Sequence, residues 1–173
     1  GFTSSGREYT LYLRNNEIPP MPWSNVIASP VFGTLVTETG GGYTWADNSR
    51  ENRISTWSND PVIDPSSEAI FIRDTRNGIY WTPTPRPVPA ASDFTVRHGF
   101  GYSEFHTETE EIESTLTVTI SPDEPVKWWG LSLKNKAERA RTLEVYLYID
   151  FVLGILREDS YRHQAAAFDE PSE

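Results

Sequence analysis

The chain has 173 residues, the size of one domain, and a domain of that length buries roughly 70% of its unfolded surface. Aromatic residues make up 13% of it, which excludes a disordered chain, and 13 prolines argue against a helical bundle. A formal net charge of −10 speaks against nucleic-acid phosphates as a partner, and the lack of cysteine removes both disulfides and thiolate metal sites.

Period-two alternation dominates the chain in order. "EYTLYL" (8–13) reads as a strand, broken by the prolines of "NNEIPPMPW". "VFGTLVTETGGGYTW" (31–45) reads as strand, glycine-rich turn, strand. A hairpin is predicted over 68–83, where Asn77-Gly78 supplies the positive-φ positions of a tight turn between "EAIFIRD" and "IYWTP". "TPTPRPVPAAS" (82–92) is a proline-rich, extended connector.

Longer strands follow, in "FTVRHGFGYSEFHTET", "EIESTLTVTIS", "VKWWGLSLKN" and "ARTLEVYLYIDFVLG". Ile112, Ser114, Leu116, Val118 and Ile120 fall on one face of the second, and Leu143, Val145, Leu147 and Ile149 on one face of the last. About ten strands with turns roughly every 8–12 residues predict an all-β, antiparallel sandwich in one domain, 1–173. No run approaches ~18 apolar residues, so no contact with a membrane is expected. The N-terminus lacks the basic and apolar regions of a signal peptide. The absence of an initiator Met and the tail "AAAFDEPSE" give the expectation of a piece cut from a longer, multidomain enzyme.

Chemistry-bearing motifs are scarce. The three histidines, His98, His106 and His163, form no metal-binding spacing, so no metal is assigned, and there is no G-x-S-x-G nucleophile elbow. Gly40-Gly41-Gly42 lacks the Lys and the helix of a phosphate loop and reads as a hairpin turn. The acidic run "HTETEEIE" (106–113) reads as a solvated strand face and turn.

One stretch stands apart, "YTWADNSRENRISTWSNDP" (43–61). Sugars present CH faces that stack on indole rings and hydroxyls that bind amides, carboxylates and guanidiniums. Trp45, Arg53, Trp57 and Asn59, with Asn48, Arg50, Glu51 and Asp60, supply that palette. The plainer alternative makes Trp45 and Trp57 packing anchors, with the arginines paired to local acids.

The words "GREYTLYL", "PPMPWSNVIASPVFGTLVTETGGGYTWADNSRENRISTWSNDPV", "EAIFIRD…GIYWTPTP", "VRHGFGYSEF" and "VYLYIDFVLG", in this order, resemble the N-terminal β-sandwich of the inverting disaccharide phosphorylases. That is the cellobiose and chitobiose phosphorylase family. The likeness is nearest to the phosphorylase region of cyclic β-1,2-glucan synthases, which carries the same "NSREN" and "WSNDP".

The resemblance implies an antiparallel super-sandwich similar to galactose mutarotase, followed by a helical linker and an (α/α)6 barrel. The barrel would hold the catalytic acid and bind inorganic phosphate as co-substrate. This piece would then carry no catalytic residue and no cofactor. Its implied partners are a β-linked glucose oligosaccharide, the barrel of the same chain and, in dimeric members, a second subunit. "SYRHQ" matches the family's sugar-pocket element, which nominates Arg162 and Tyr161, while Arg53 matches an Arg-rich loop. The implied location is cytoplasmic, as a free enzyme or as the cytoplasmic part of an inner-membrane synthase. Two alternatives stay open: a stand-alone carbohydrate-binding module and a purely structural docking domain. A mutarotase-like activity would call on His98 and Glu104.

Overall fold

The computed structural model describes residues 1–15 and 17–168; the end of the "AAAFDEPSE" tail, 169–173, lies outside the described residues. Thirteen strands are present among them, followed by a four-residue helix, α1 (Arg157–Ser160), and a single 3₁₀ turn at Tyr161–His163. The strands form three sheets in which every ladder is antiparallel.

The first sheet joins β1 (Glu8–Leu13), β8 (Phe94–Gly99), β9 (Tyr102–Thr109), β10 (Ile112–Ile120) and β11 (Lys127–Asn135), in that order. The second joins β12 (Leu143–Ile149), β6 (Glu68–Asp74) and the short β7 (Tyr80–Trp81). The third runs β13 (Phe151–Gly154), β5 (Arg53–Ser55), β4 (Gly42–Ala46), β3 (Phe32–Thr37), β2 (Ser24–Ala28). β12 and β13 form one long strand that bends at Asp150, where it leaves the second sheet and enters the third. Asp150 holds both neighbours at the bend, its N–H donating to the Ser67 carbonyl and its carbonyl accepting from the Thr56 N–H.

The predicted turns form, with one difference: of Asn77-Gly78 only Gly78 takes a positive φ, and residues 75–79 rather than a two-residue turn connect β6 to β7. Gly78 has φ +73° and donates its N–H to the Asp74 carbonyl, closing the β6–β7 hairpin. Gly42, at φ +132°, opens β4 where a Cβ would overlap the Leu35 carbonyl oxygen, so only glycine fits. The triglycine is therefore a hairpin turn between β3 and β4.

The core lies between the first sheet and the other two. Leu11, Leu13, Phe94, Val96, Phe105, Ile112, Leu116 and Val118 pack there against Val36, Ile70, Ile72 and Trp81. Each such side chain contributes about 1.5–3 kcal/mol on burial. β10 alternates buried and half-exposed from Ile112 to Val118, as its pattern predicts.

β12 differs from expectation. Val145 and Leu147 are 51% and 56% exposed. β12 is an edge strand bonded to β6 alone, and among the described residues no element covers that apolar face.

A polar cluster ties the three sheets together. Lys127 of β11 reaches the Glu68 carboxylate of β6, and its Nζ also donates to Thr34 Oγ1 of β3 at 2.9 Å. Thr44 and Ser55 hydroxyls donate to Glu68 Oε1 at 2.6 and 2.5 Å. Burial pushes the Glu68 pKa up, but Lys127 and the two hydroxyls outweigh it and hold the carboxyl below its ordinary range.

Candidate functional site

The segment 47–60 leaves β4, turns and returns as β5, and its polar residues divide into two jobs. Asn48 Oδ1 accepts the Arg50 and Glu51 N–H groups, both at 2.9 Å, and Asp60 Oδ1 accepts those of Val62 and Ile63 at 2.9 and 3.0 Å. Those backbone donors hold the Asp60 carboxyl below its usual value. These two side chains shape the loop. Arg50 pairs with the adjacent Glu51 at 3.4 Å, in solvent.

Arg53 and Trp57 do something else. Tyr43 stacks on Trp57 with centroids 5.1 Å apart, and the Arg53 guanidinium lies 5.7 Å over the same Tyr43 ring. Arg53 Nη1 donates to the Trp57 carbonyl at 3.3 Å, and Nε to the Ser49 carbonyl at 3.4 Å. Among the described residues Arg53 has no acidic partner within ion-pair distance. It is a charged group held by neutral acceptors and an aromatic face, with donors left over.

Arg53 and Trp57 line a groove of about 360 Å³ whose far wall is Asp150 with α1. Register explains the meeting, since β13 lies beside β5 with Phe151 opposite Ser55 and Gly154 opposite Arg53. Asp150 accepts from Thr56 Oγ1 at 3.0 Å and pairs with Arg157 at 2.8 Å. The groove thus carries an indole, two guanidiniums, the Asp150 and Glu158 carboxylates and the Ser58 hydroxyl, while the Ser67 hydroxyl is spent on the Gly42 carbonyl at 2.6 Å. That set can stack a sugar ring and bind its hydroxyls.

The other nominated residues fall elsewhere. Trp45 is buried, 9% exposed, with its indole filling the space above Gly33 and tilted against Tyr43; no ring face is open to a ligand, so it is a packing residue. Asn59 is exposed at φ +51°, a turn position beside the groove. Tyr161 and Arg162 stand in solvent, where Arg162 Nε donates to the Tyr161 hydroxyl at 2.9 Å. Neither lines a groove, although their neighbours His163 and Gln164 do, in a second hollow of about 410 Å³ behind β13.

Asp150 and Arg157 were not singled out from the sequence. The available signal was an aspartate interrupting the apolar run "VYLYIDFVLG".

His98 and Glu104 do not form a catalytic pair. His98 lies opposite Ser103 and Arg97 opposite Glu104, so His98 and Glu104 point to opposite faces of the sheet. Both His98 ring nitrogens are engaged, with Ser103 Oγ at 2.9 Å and the Trp23 carbonyl at 3.0 Å, and burial pushes its pKa down. Glu104 binds Arg97 at 2.5 Å. Among the described residues no three His, Asp or Glu side chains gather as a metal-ligand set, and no helix is long and apolar enough to cross a membrane.

Residues 7–170 match the family described as "Glycosyl hydrolase 94, supersandwich domain". The chain belongs to that family. Among individual relatives, the cyclic beta-(1,2)-glucan synthase NdvB of Rhizobium meliloti (strain 1021) is 37% identical over 171 residues, which are 98% of this chain and 6% of that protein. An N,N'-diacetylchitobiose phosphorylase of Vibrio proteolyticus is 25% identical over 96% of this chain and 21% of its own length. A solabiose phosphorylase of Paenibacillus borealis is 27% identical over 92% of this chain and 21% of its own. The supersandwich chain thus spans about a fifth or less of these relatives. The fold class read from its sequence, an all-β super-sandwich, is the family's.

Proposed function

We propose that this supersandwich is the carbohydrate-facing, non-catalytic N-terminal domain of a glycoside phosphorylase or cyclic β-1,2-glucan synthase. In this reading it supports the active site of an (α/α)6 barrel in the same polypeptide. The observation that carries the reading is the groove in which Arg53, free of acidic partners among the described residues, and Trp57 face Asp150 and Arg157. A neutral β-linked glucose oligosaccharide suits it: CH faces meet the indole, and hydroxyls meet guanidinium and carboxylate. The names of the relatives, a glucan synthase and two disaccharide phosphorylases, favour the same class.

The catalytic acid and the site for inorganic phosphate belong to the barrel in this proposal, and the whole enzyme works in the cytoplasm or on the cytoplasmic side of an inner membrane. In this reading Arg162 and Tyr161, which are exposed on the turn after α1, contribute to a sugar pocket on the barrel or on a second subunit.

The test has two arms. Sophorose and β-1,2-gluco-oligosaccharides should shift the tryptophan fluorescence of the chain, and Trp57→Phe should remove most of that response. In the complete enzyme, Arg53→Ala should raise KM or lower kcat/KM about tenfold without unfolding it. Turnover equal to the parent removes Arg53 from the site.

A purely structural docking role is the second reading. The exposed apolar side chains Val145 and Leu147 of β12 and Leu153 of β13, 51–56% exposed, favour it. Fluorescence unmoved by any of these sugars would leave that reading in place.

A further inference from the structure

One side chain joins the two walls of the sugar groove. Asp150 is 19% exposed at its side chain, and both of its oxygens are engaged. Oδ2 accepts the Thr56 hydroxyl at 3.0 Å, on the wall that carries Trp57. Arg157 Nη1, on the α1 wall, lies 2.8 Å from Oδ1 and donates to Oδ2 at 3.0 Å. The Asp150 backbone is fixed as well, its N–H by the Ser67 carbonyl and its carbonyl by the Thr56 N–H. A carboxylate so occupied has little capacity left for a sugar hydroxyl; it holds Arg157.

Arg157 gives only Nη1 to that pair. Its Nε–H and Nη2 hydrogens have no acceptor among the described residues, its side chain is 62% exposed, and it lines the groove. A guanidinium held at Nη1 offers the Nε and Nη2 edge as a fork of two parallel N–H bonds. Arg53 offers no such edge, because its Nε and Nη1 both donate to backbone carbonyls.

Resting on the proposed sugar-binding role of the groove, we infer that Arg157 is its specificity-determining residue, reading two adjacent hydroxyls of one glucosyl ring, and that Asp150 is the positioning residue for Arg157. Two neighbouring equatorial hydroxyls present their oxygens side by side, as a carboxylate does, and match the same fork. In a glucosyl ring linked through C1 the available pairs are those on C2 with C3 and on C3 with C4, and the C3 hydroxyl belongs to both. A chain joined through O2 keeps the second pair at every residue, and one joined through O4 keeps the first. A chain joined through O3 loses both pairs at every residue but its non-reducing end. The groove thereby accepts 1,2- and 1,4-linked glucosides and rejects the interior of 1,3-linked ones. Stacking on Trp57 cannot make that distinction, since a ring keeps its CH faces whichever hydroxyl is substituted.

The test is NMR titration of the 173-residue chain, following the Trp57 indole N–H. The ligands are methyl β-glucopyranoside and its 2-O-, 3-O- and 4-O-methyl ethers, in which the added methyl stands for the next sugar. The 2-O- and 4-O-methyl ethers should bind nearly as the parent glucoside does, and the 3-O-methyl ether about tenfold or more weakly. Arg157→Lys keeps the charge and loses the fork, so it should remove most of that difference. Asp150→Asn should weaken the parent glucoside several-fold in the original chain and leave the Arg157→Lys chain almost unaffected. A 3-O-methyl ether that binds as well as the parent glucoside, or a preference that survives Arg157→Lys, would overturn the role of Arg157. An equal loss from Asp150→Asn in both backgrounds would mark that residue as purely structural and overturn its positioning role. Sophorose separates this failure from a failure of the groove itself: without a saturable shift from sophorose the sugar-binding role falls and Arg157 with it, whereas sophorose binding beside indifferent ethers removes Arg157 alone.

Discussion

The Glu38→Gln substitution offers a quantitative test of a buried acid in the turn after β3. In the folded chain the Glu38 carboxyl titrates at about 7, against 4.5 for the ordinary group, chiefly because burial disfavours the anion. Between those values the unfolded chain has released the proton while the folded chain still holds it. The folded state therefore binds more protons, and stability must fall as pH rises. Each pH unit across that window costs about 1.4 kcal/mol, so about 3 kcal/mol is lost from pH 4.5 to 7, with little further change above. Glutamine is neutral throughout, and its carbonyl can keep the Trp23 N–H that Oε2 accepts at 2.7 Å. Its amide gains donors that lack an assigned acceptor, a pH-independent cost of about 1–2 kcal/mol. Urea unfolding of both proteins from pH 5 to pH 8 should show the variant gaining on the parent by about 3 kcal/mol over that range. A difference that stays flat would refute the assignment of a buried, proton-holding Glu38.

Three further outcomes are expected. Lys127→Met leaves the Glu68 carboxylate buried without its cation and should cost about 3–5 kcal/mol in urea unfolding, and adding Glu68→Gln should restore part of that loss. Gly42→Ala forces a Cβ onto the Leu35 carbonyl at φ +132° and should destabilise by about 3 kcal/mol or more, read as a lowered thermal midpoint. Trp45→Ala should lose about 3–5 kcal/mol of stability, whereas Trp57→Ala should leave the chain folded and abolish its fluorescence response to sugar.

Much of the local structure was legible because its causes are local. The pleat puts alternate side chains of 112–118 on opposite faces, so one glance at apolar and polar letters identifies the buried side. Gly78, and Gly40 and Gly42 of the triglycine, mark turns through positive φ angles that few other residues adopt. The loop chemistry of Asn48 and Asp60 is equally local: although their residue types suit a sugar, their oxygens serve backbone N–H groups two and three residues on. What alternation cannot report is what lies above a face. Val145 and Leu147 alternate as well as Leu116 and Val118 do, yet the first pair stands half exposed at a sheet edge and the second is sealed.

The amino-acid order alone therefore determined an all-β domain, its turns and the segment in which a half-buried indole and a guanidinium would be found. Only tertiary structure separated Trp45 from Trp57, because β4 is buried over most of its length while the chain after β5 emerges at a groove. It alone set Arg53 opposite Gly154, and Asp150 within reach of Thr56. Those meetings depend on strand pairing and loop closure between residues far apart in the chain, and no local pattern of side chains encodes which distant partner a strand edge or a buried oxygen will find.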